Sequence, residues 1–238
     1  MRSTGGKVEI GAIIGDTIDV YRDHYGPLIG VSAAVFVVVG ILQAALYADG
    51  RTGSILIGSF ISLLGATLYT GFVVKLVEDV RDGRRDFTVR ELFSSAAAVI
   101  GSLLVNGILK GIAVVIGLVL LIAPGLWLLT IWAVTAPVIV IERVGGIAAF
   151  GRSLELVRGR GWDVFGVVVV SFVITIAIAF VFGLIGSPLG SGGQIALSTI
   201  GSILAAPITA LVAAILYFQL VAAGSEEGLD DQEPAPTY

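Results

Sequence analysis

Long stretches without a charged residue constrain this chain more than any other feature of its sequence. A helix needs about 20 apolar residues to cross the hydrocarbon core of a bilayer. Six stretches approach or exceed this length: residues 28–48, 54–77, 97–122, 126–142, 163–185 and 195–221. The composition agrees, because 56% of the residues are hydrophobic and 13% are charged, against about 45–50% and 25% in soluble domains. The sequence therefore predicts an all-α polytopic membrane protein.

The third and fourth spans come from one apolar stretch, residues 96–141, that is too long for a single crossing. Pro124-Gly125 lies inside it and is a typical turn dipeptide. We therefore place the connection there and expect Pro137 and Pro207, inside later spans, to kink their helices.

The distribution of Lys and Arg supports six spans and predicts an orientation. With six spans, 12 of the 14 basic residues fall on one side, only Arg51 falls on the other, and Lys110 lies within a span. An excess of basic residues marks cytoplasmic loops. We therefore expect a multi-pass protein of the cell (cytoplasmic) membrane with both termini in the cytoplasm.

Short amphipathic segments precede the first, third and fifth spans. Residues 9–23 place isoleucines on one face and acidic residues on the other, and residues 147–158 repeat this design, with a weaker example at 88–95. Such segments are typical of interfacial helices. An anionic leaflet repels an acidic helix face. We therefore expect the acidic face of residues 9–23 to contact arginines of the cytoplasmic loops.

An internal repeat follows from these segments. Residues 15–31 align without a gap to 151–167, with identities at Gly15/Gly151, Arg22/Arg158, Gly30/Gly166 and Val31/Val167. We therefore predict three parallel units, each an interfacial helix followed by a transmembrane hairpin, in one domain over residues 1–223.

Residues 224–238 carry five acidic residues and no basic one, and we expect a disordered cytoplasmic tail there.

Several classes of chemistry are disfavoured. The chain has no cysteine and one histidine, which argues against disulfides, thiolate sites and a histidine zinc site. The sequence motifs of serine hydrolases, zinc peptidases and phosphate-binding loops do not occur, and no broad basic surface invites nucleic acid. We expect no catalytic residue, metal or cofactor; the expected partners are membrane lipids and either another protein or further copies of this chain.

A family resemblance begins near residue 124. The features that carry it, in chain order, are Pro124-Gly125, Trp132, Pro137, Glu142-Arg143, Gly146, Ala149, Arg152-Ser153, Leu156-Val157, Gly159 and Trp162. This order resembles a family of bacterial and archaeal six-span proteins that includes the membrane domain of some glycerophosphoryl diester phosphodiesterases and the YciC-like inner-membrane proteins. The resemblance implies an integral membrane domain, mostly without an assigned activity, and it carries over no catalytic residue.

Lys110 is the first candidate for a functional role, because a lysine in the middle of a span commonly faces a cavity or a partner. Asn106 lies one turn earlier on the same face, and Gly107 and Gly111 permit another helix to come close. Lys110 and Asn106 therefore form a candidate polar cavity for an anionic headgroup or solute. The alternative is a lysine that extends along a tilted helix to reach water.

Glu142, Arg143, Arg152 and Arg158 form the second candidate, in the loop between the fourth and fifth spans. Arginine suits phosphate oxygens, which favours a lipid-headgroup site. The alternative is a structural ion pair between Glu142 and an arginine of the following interfacial helix.

From these features we expect a non-enzymatic protein that binds or organises lipids or serves as a platform for a partner. The alternative function is a transporter or channel for a small anionic solute or lipid, with Lys110 lining the path.

Overall fold

The computed structural model describes residues 9–47, 52–82 and 89–230, and these residues are almost entirely helical, with no strand among them. In chain order the helices are α1 (Ile10–Asp23), α2 (Tyr25–Tyr47), α3 (Thr52–Arg81), α4 (Val89–Ala98), α5 (Ile100–Leu120), α6 (Ile122–Ile131), α7 (Thr135–Glu142), α8 (Ala148–Val157), α9 (Gly161–Gly186) and α10 (Gly190–Asp230). A single 3₁₀ turn, Ser187–Leu189, joins the last two helices.

Six helical segments of the described chain are long and apolar enough to cross a membrane. They are Tyr25–Leu46, Ile57–Arg81, Ile100–Leu120, Ile122–Glu142, Gly161–Leu189 and Gly192–Ser225. The prediction of an all-α polytopic membrane protein with six spans is therefore confirmed. Each span packs against the span that follows or precedes it in sequence, as α2 with α3, α5 with α6, and α9 with α10, which gives three hairpins.

The connection between the third and fourth spans lies at Leu121 and not at Pro124-Gly125. Leu121 is extended, with φ −159° and ψ 136°, and Pro124 lies in the first turn of α6, where a missing N–H costs no helical hydrogen bond. Gly125 instead allows close packing, because a Cβ built on Gly117 would lie 3.0 Å from the Gly125 Cα.

The close approach predicted at Gly107 and Gly111 does not occur at Gly111, whose Cβ would meet nothing within 4 Å.

The fourth span is interrupted, whereas the sixth is not. The α-helix stops at Ile131 and resumes at Thr135, and Pro137 lies in the first turn after this break. Because proline has no N–H, it cannot continue the hydrogen bonds of the preceding helix, which gives a physical reason for a break at this place. Pro207 lies within the continuous helix α10.

The internal repeat is visible in helix boundaries and in burial. The alignment of Gly15 with Gly151 also aligns the first residues of α2 and α9, Tyr25 and Gly161. Buried residues coincide at that same offset: Ile13 with Ala149, Thr17 with Ser153, Val20 with Leu156, Leu28 with Val164, and Val31 with Val167. The short helices α1 and α8 therefore pack the same face in their two units.

The middle unit follows the same pattern where its side chains are described. When the first residue of α5, Ile100, is aligned with Tyr25, buried Leu103 corresponds to Leu28 and buried Asn106 corresponds to Val31. The middle unit thus carries a polar residue at a position that is valine in the other two, which marks Asn106 as a departure from the repeat.

The core lies where α3 and α10 pack against α2 and α7. Its largest fully buried side chains include Tyr69, Phe72, Leu211 and Ile215. Side-chain hydrogen bonds to backbone oxygens fix α2 in this core, from Tyr69 Oη to the Leu28 oxygen at 3.1 Å and from Ser32 Oγ to the Ile203 oxygen at 2.9 Å.

The acidic face of α1 borders a recess of about 740 Å³. Its lining is Asp16, Asp19, Val20, Arg22, Asp23, His24, Val80 and Arg81. The acidic face therefore meets one arginine of α3, Arg81, whose guanidinium also lies 4.3 Å from the centre of the Phe218 ring. Two loop arginines that could share this role, Arg84 and Arg85, lie outside the described residues.

The last helix runs beyond the predicted span. Helix α10 continues to Asp230, inside the segment 224–238 that the sequence predicts to be disordered. Residues 231–238 lie outside the described residues.

Candidate functional site

Lys110 lies at the centre of α5 and its ammonium group contacts the interrupted fourth span. Lys110 Nζ donates a hydrogen bond of 2.5 Å to the backbone oxygen of Trp132, the residue that follows α6. The last carbonyl groups of a helix lack partners within it and form the negative end of its dipole. The Trp132 oxygen also accepts a hydrogen bond of 3.2 Å from Thr135 Oγ1, so the ammonium group shares this carbonyl at the helix break with a hydroxyl group of α7.

Lys110 of α5 also lines a cavity of about 220 Å³ that it shares with residues near α6, α9 and α10. The α6 side contributes Leu129 and Ala133, and the remaining lining is Val168, Ser171, Phe172 and Thr175 of α9 with Thr209, Val212, Ala213 and Leu216 of α10. An engineered apolar cavity of about 150 Å³ holds a benzene molecule. This cavity is therefore large enough for an organic group.

The polar side chains that line this cavity carry hydroxyl groups or, at Lys110, an ammonium group. The hydroxyl groups of Ser171 and Thr175 donate to backbone oxygens of their own helix at 2.8 and 2.9 Å, and Thr175 Oγ1 lies 3.4 Å from Thr209 Oγ1. Lys110 is the one charged residue in the described lining, and no carboxylate lines the cavity with it. Since an ammonium group has three N–H donors, this site offers positive charge and donors to an anion.

Asn106 does not share this cavity, contrary to the sequence prediction. It is 3% exposed, and its Nδ2 donates to the backbone oxygen of Gly146 at 2.8 Å. A Cβ built on Gly146 would lie closer than 3.0 Å to the backbone oxygen of Ser102, so only glycine fits against α5 there. Asn106 therefore fastens the loop that follows α7 to α5, although it lies one turn from Lys110 on the same helix.

Glu142 and Arg152 form an ion pair that joins α7 to α8. Arg152 Nε donates to both carboxylate oxygens of Glu142, at 3.1 and 3.0 Å. Tyr217 Oη of α10 donates to Glu142 Oε1 at 3.0 Å. The hydrogen bond with Glu142 raises the pKa of Arg152 above its usual range. This is the geometry of a structural ion pair, because the carboxylate accepts three hydrogen bonds from two donors on two other helices.

The other two arginines of the predicted cluster lie apart from this pair. Arg143 follows α7 in the left-handed conformation, with φ 53°, and is exposed. Arg158 is exposed at the C-terminal end of α8. Neither contacts a carboxylate in the part of the chain that the structure describes. The four residues therefore do not form one site.

Three elements of the site were not predicted from the sequence. The Trp132 carbonyl group is freed by a helix break, and Tyr217 reaches Glu142 from a distant helix. The hydroxyl residues of α9 carried a readable signal, because Ser171 and Thr175 are spaced four residues apart and so share one face of an otherwise apolar helix.

Comparison with known proteins identifies a membrane protein with local similarity to this chain. A UPF0259 membrane protein from Pectobacterium carotovorum subsp. carotovorum (strain PC1) is 30% identical over 103 residues. The match covers 43% of this chain and 41% of that protein, so it extends over less than half of the relative. No protein-family model matches the chain.

No solved structure matches the chain either. The printed name of the relative states a membrane location and no activity, which agrees with the broad part of the resemblance found in the sequence. The narrower likeness to the membrane domain of glycerophosphoryl diester phosphodiesterases stays a prediction. Together with the six apolar spans, the similarity identifies this chain as an integral, multi-pass membrane protein.

Proposed function

We propose that this protein is a non-enzymatic protein of the cytoplasmic membrane that binds an anionic lipid or similar amphiphile at the Lys110 cavity. The observation that carries the proposal is a membrane-span lysine that lines a largely apolar cavity whose described lining contains no carboxylate. A charge inside a membrane bundle is costly and usually serves a partner or a pathway. In this proposal both termini are cytoplasmic, as the 12-to-1 distribution of basic residues outside the spans supports.

The Lys110 cavity suits a ligand that carries a negative charge and an apolar body. Among the described residues Lys110 makes one hydrogen bond, to Trp132, so further donors can serve an anion. A hydrogen bond to a charged group contributes about 1.5–3 kcal/mol, which corresponds to a change of about 10- to 150-fold in Kd. The apolar lining suits the body of an amphiphile.

The test is equilibrium dialysis of radiolabelled palmitate against nanodisc-embedded protein, with protein-free nanodiscs as the background. Wild-type protein should bind palmitate saturably, and should bind hexadecanol, which has the same chain and no charge, about 10-fold or more weakly. K110M should lose the preference for the acid, whereas K110R should keep it. Lys75, which pairs with Glu78 at 2.5 Å, offers the control K75M. Equal binding of acid and alcohol by the wild-type protein would overturn the proposal.

Transport is the second candidate, and the interrupted fourth span favours it. Membrane transporters commonly build their sites from discontinuous helices whose ends face the substrate, and Trp132–Val134 separates two helices beside Lys110. Because the chain has no cysteine, K110C provides a unique label site. Rapid reaction with a membrane-impermeant thiol reagent would favour an aqueous path, and complete protection would leave the lipid-binding proposal as the better one.

A further inference from the structure

A second cavity lies between α6 and α9, two of the helices that line the Lys110 cavity. It has a volume of about 240 Å³ and is lined by Ala123, Leu126 and Trp127 of α6 and by Gly161, Trp162 and Phe165 of α9. The lining is almost wholly apolar, and no charged residue contributes to it among the residues described. Trp127 and Trp162 are 57% and 84% exposed, so the cavity is open at its aromatic wall.

The two cavities follow one another along α6 and α9. On α9 the lining passes from Phe165 in the second cavity to Val168 in the Lys110 cavity, which is one helical turn. On α6 it passes from Leu126 to Leu129, again one turn. From Trp162 to Thr175 the α9 lining covers about 20 Å at 1.5 Å per residue.

Charge is confined to one end of this path. Lys110 supplies the ammonium group at the first cavity, whereas the second cavity is walled by aromatic and aliphatic carbon. Each cavity is only moderately larger than the roughly 150 Å³ that holds one benzene ring. A ligand that matches both therefore has a single chain and one small anionic head.

Resting on the function proposed above, the geometry points to a long-chain fatty acid whose carboxylate lies on Lys110 and whose chain follows the groove between α6 and α9 to the aromatic cavity. The carboxylate accepts from the ammonium group, and the methyl end of the chain contacts Trp127 and Trp162. The opposite orientation would place the carboxylate in a cavity whose described lining offers only the neutral indole N–H groups of Trp127 and Trp162 as side-chain donors and no positive charge to compensate for lost hydration.

The three tryptophans of the chain allow this orientation to be measured. Trp132 lies beside Lys110, and Trp127 and Trp162 lie at the other end of the groove. The experiment is fluorescence quenching in nanodiscs by stearate brominated either near the carboxylate or near the methyl end, since bromine quenches at contact distance. In W132F, methyl-end bromine should quench more strongly; in the double variant W127F/W162F, carboxylate-end bromine should quench more strongly.

The outcomes separate this inference from the proposal on which it rests. Saturable quenching that K110M abolishes, but that shows no dependence on bromine position or the reverse order, would overturn the groove while the anion site stands. Quenching that is unchanged in K110M would overturn both.

A glycine on α9 supplies an independent test with a matched control. A Cβ on Gly161 would lie 3.8 Å from the Trp127 ring, whereas one on Gly183 would meet nothing within 4 Å. G161L should fill the aromatic cavity and weaken palmitate binding by about tenfold or more, with Lys110-dependent binding of butyrate unchanged. G183L should bind both acids as the wild type does. Equal palmitate affinity in both variants would contradict the groove.

Discussion

Replacement of Arg152 by methionine tests the ion pair between α7 and α8. Methionine keeps much of the apolar stem of the side chain and removes the guanidinium group, which donates to both oxygens of Glu142 at 3.1 and 3.0 Å. In R152M the carboxylate, on a side chain that is 24% exposed, would keep only the bond from Tyr217. The change therefore leaves a largely buried charge with one of its three bonds.

The magnitude lies between two limits. Breaking a fully buried ion pair costs about 3–5 kcal/mol, and an exposed pair contributes about 0–1 kcal/mol. Because the Arg152 side chain is 41% exposed, solvent screens the pair and we expect R152M to lower the free energy of unfolding by about 1–2 kcal/mol. The second contact of Arg152, to Glu155 at 3.4 Å, adds little because the Glu155 side chain is 70% exposed.

The assay is reversible unfolding in mixed detergent–SDS micelles, followed by circular dichroism. R158M is the control, since Arg158 is exposed and contacts no carboxylate among the described residues, and it should remain within about 0.5 kcal/mol of the wild type. The double variant E142Q/R152M should be more stable than the sum of the single changes predicts, because residues in contact are not additive. If R152M proves as stable as R158M, the structural role is refuted and the headgroup-binding alternative gains support.

Three further changes test the described geometry. N106L should lower the free energy of unfolding by about 1–3 kcal/mol in the same assay, because the Gly146 oxygen loses its buried donor. A stability equal to that of the wild type would contradict this contact. G146A should destabilise strongly, whereas G145A should not, since a Cβ on Gly145 meets nothing within 4 Å; similar unfolding midpoints would refute the close approach. R143G should stabilise by up to about 1 kcal/mol, because glycine adopts the left-handed conformation of Arg143 without the usual penalty; a loss of stability would argue against that backbone conformation.

The sequence predicts the fold well because the bilayer imposes a strong requirement on helix length and composition. The repeat was also readable, since residues such as Thr17 and Ser153 occupy equivalent buried positions. Helix interruptions were harder to place, because Pro124-Gly125 suits either a turn or the first turn of a helix. The extended backbone of Leu121 and the packing of Gly117 on Gly125 distinguish the two.

The candidate site was predictable only in part. Lys110 is conspicuous in an apolar span, and the Glu142–Arg152 contact joins residues close in sequence. The partners that define each environment are remote or belong to the backbone: the Trp132 carbonyl, the Gly146 carbonyl and the Tyr217 hydroxyl. Helical spacing places Asn106 and Lys110 on one face, but it does not show that each side chain is held by a different carbonyl group.

The central claim, that the Lys110 cavity binds an anionic amphiphile, is tested most directly by native mass spectrometry of the protein extracted together with its surrounding lipid. The wild-type protein should retain one anionic, single-chain molecule per chain, and K110M should lose it with the folded state intact. A wild-type protein without such a ligand, or a K110M variant that retains it equally, would contradict anion binding at Lys110.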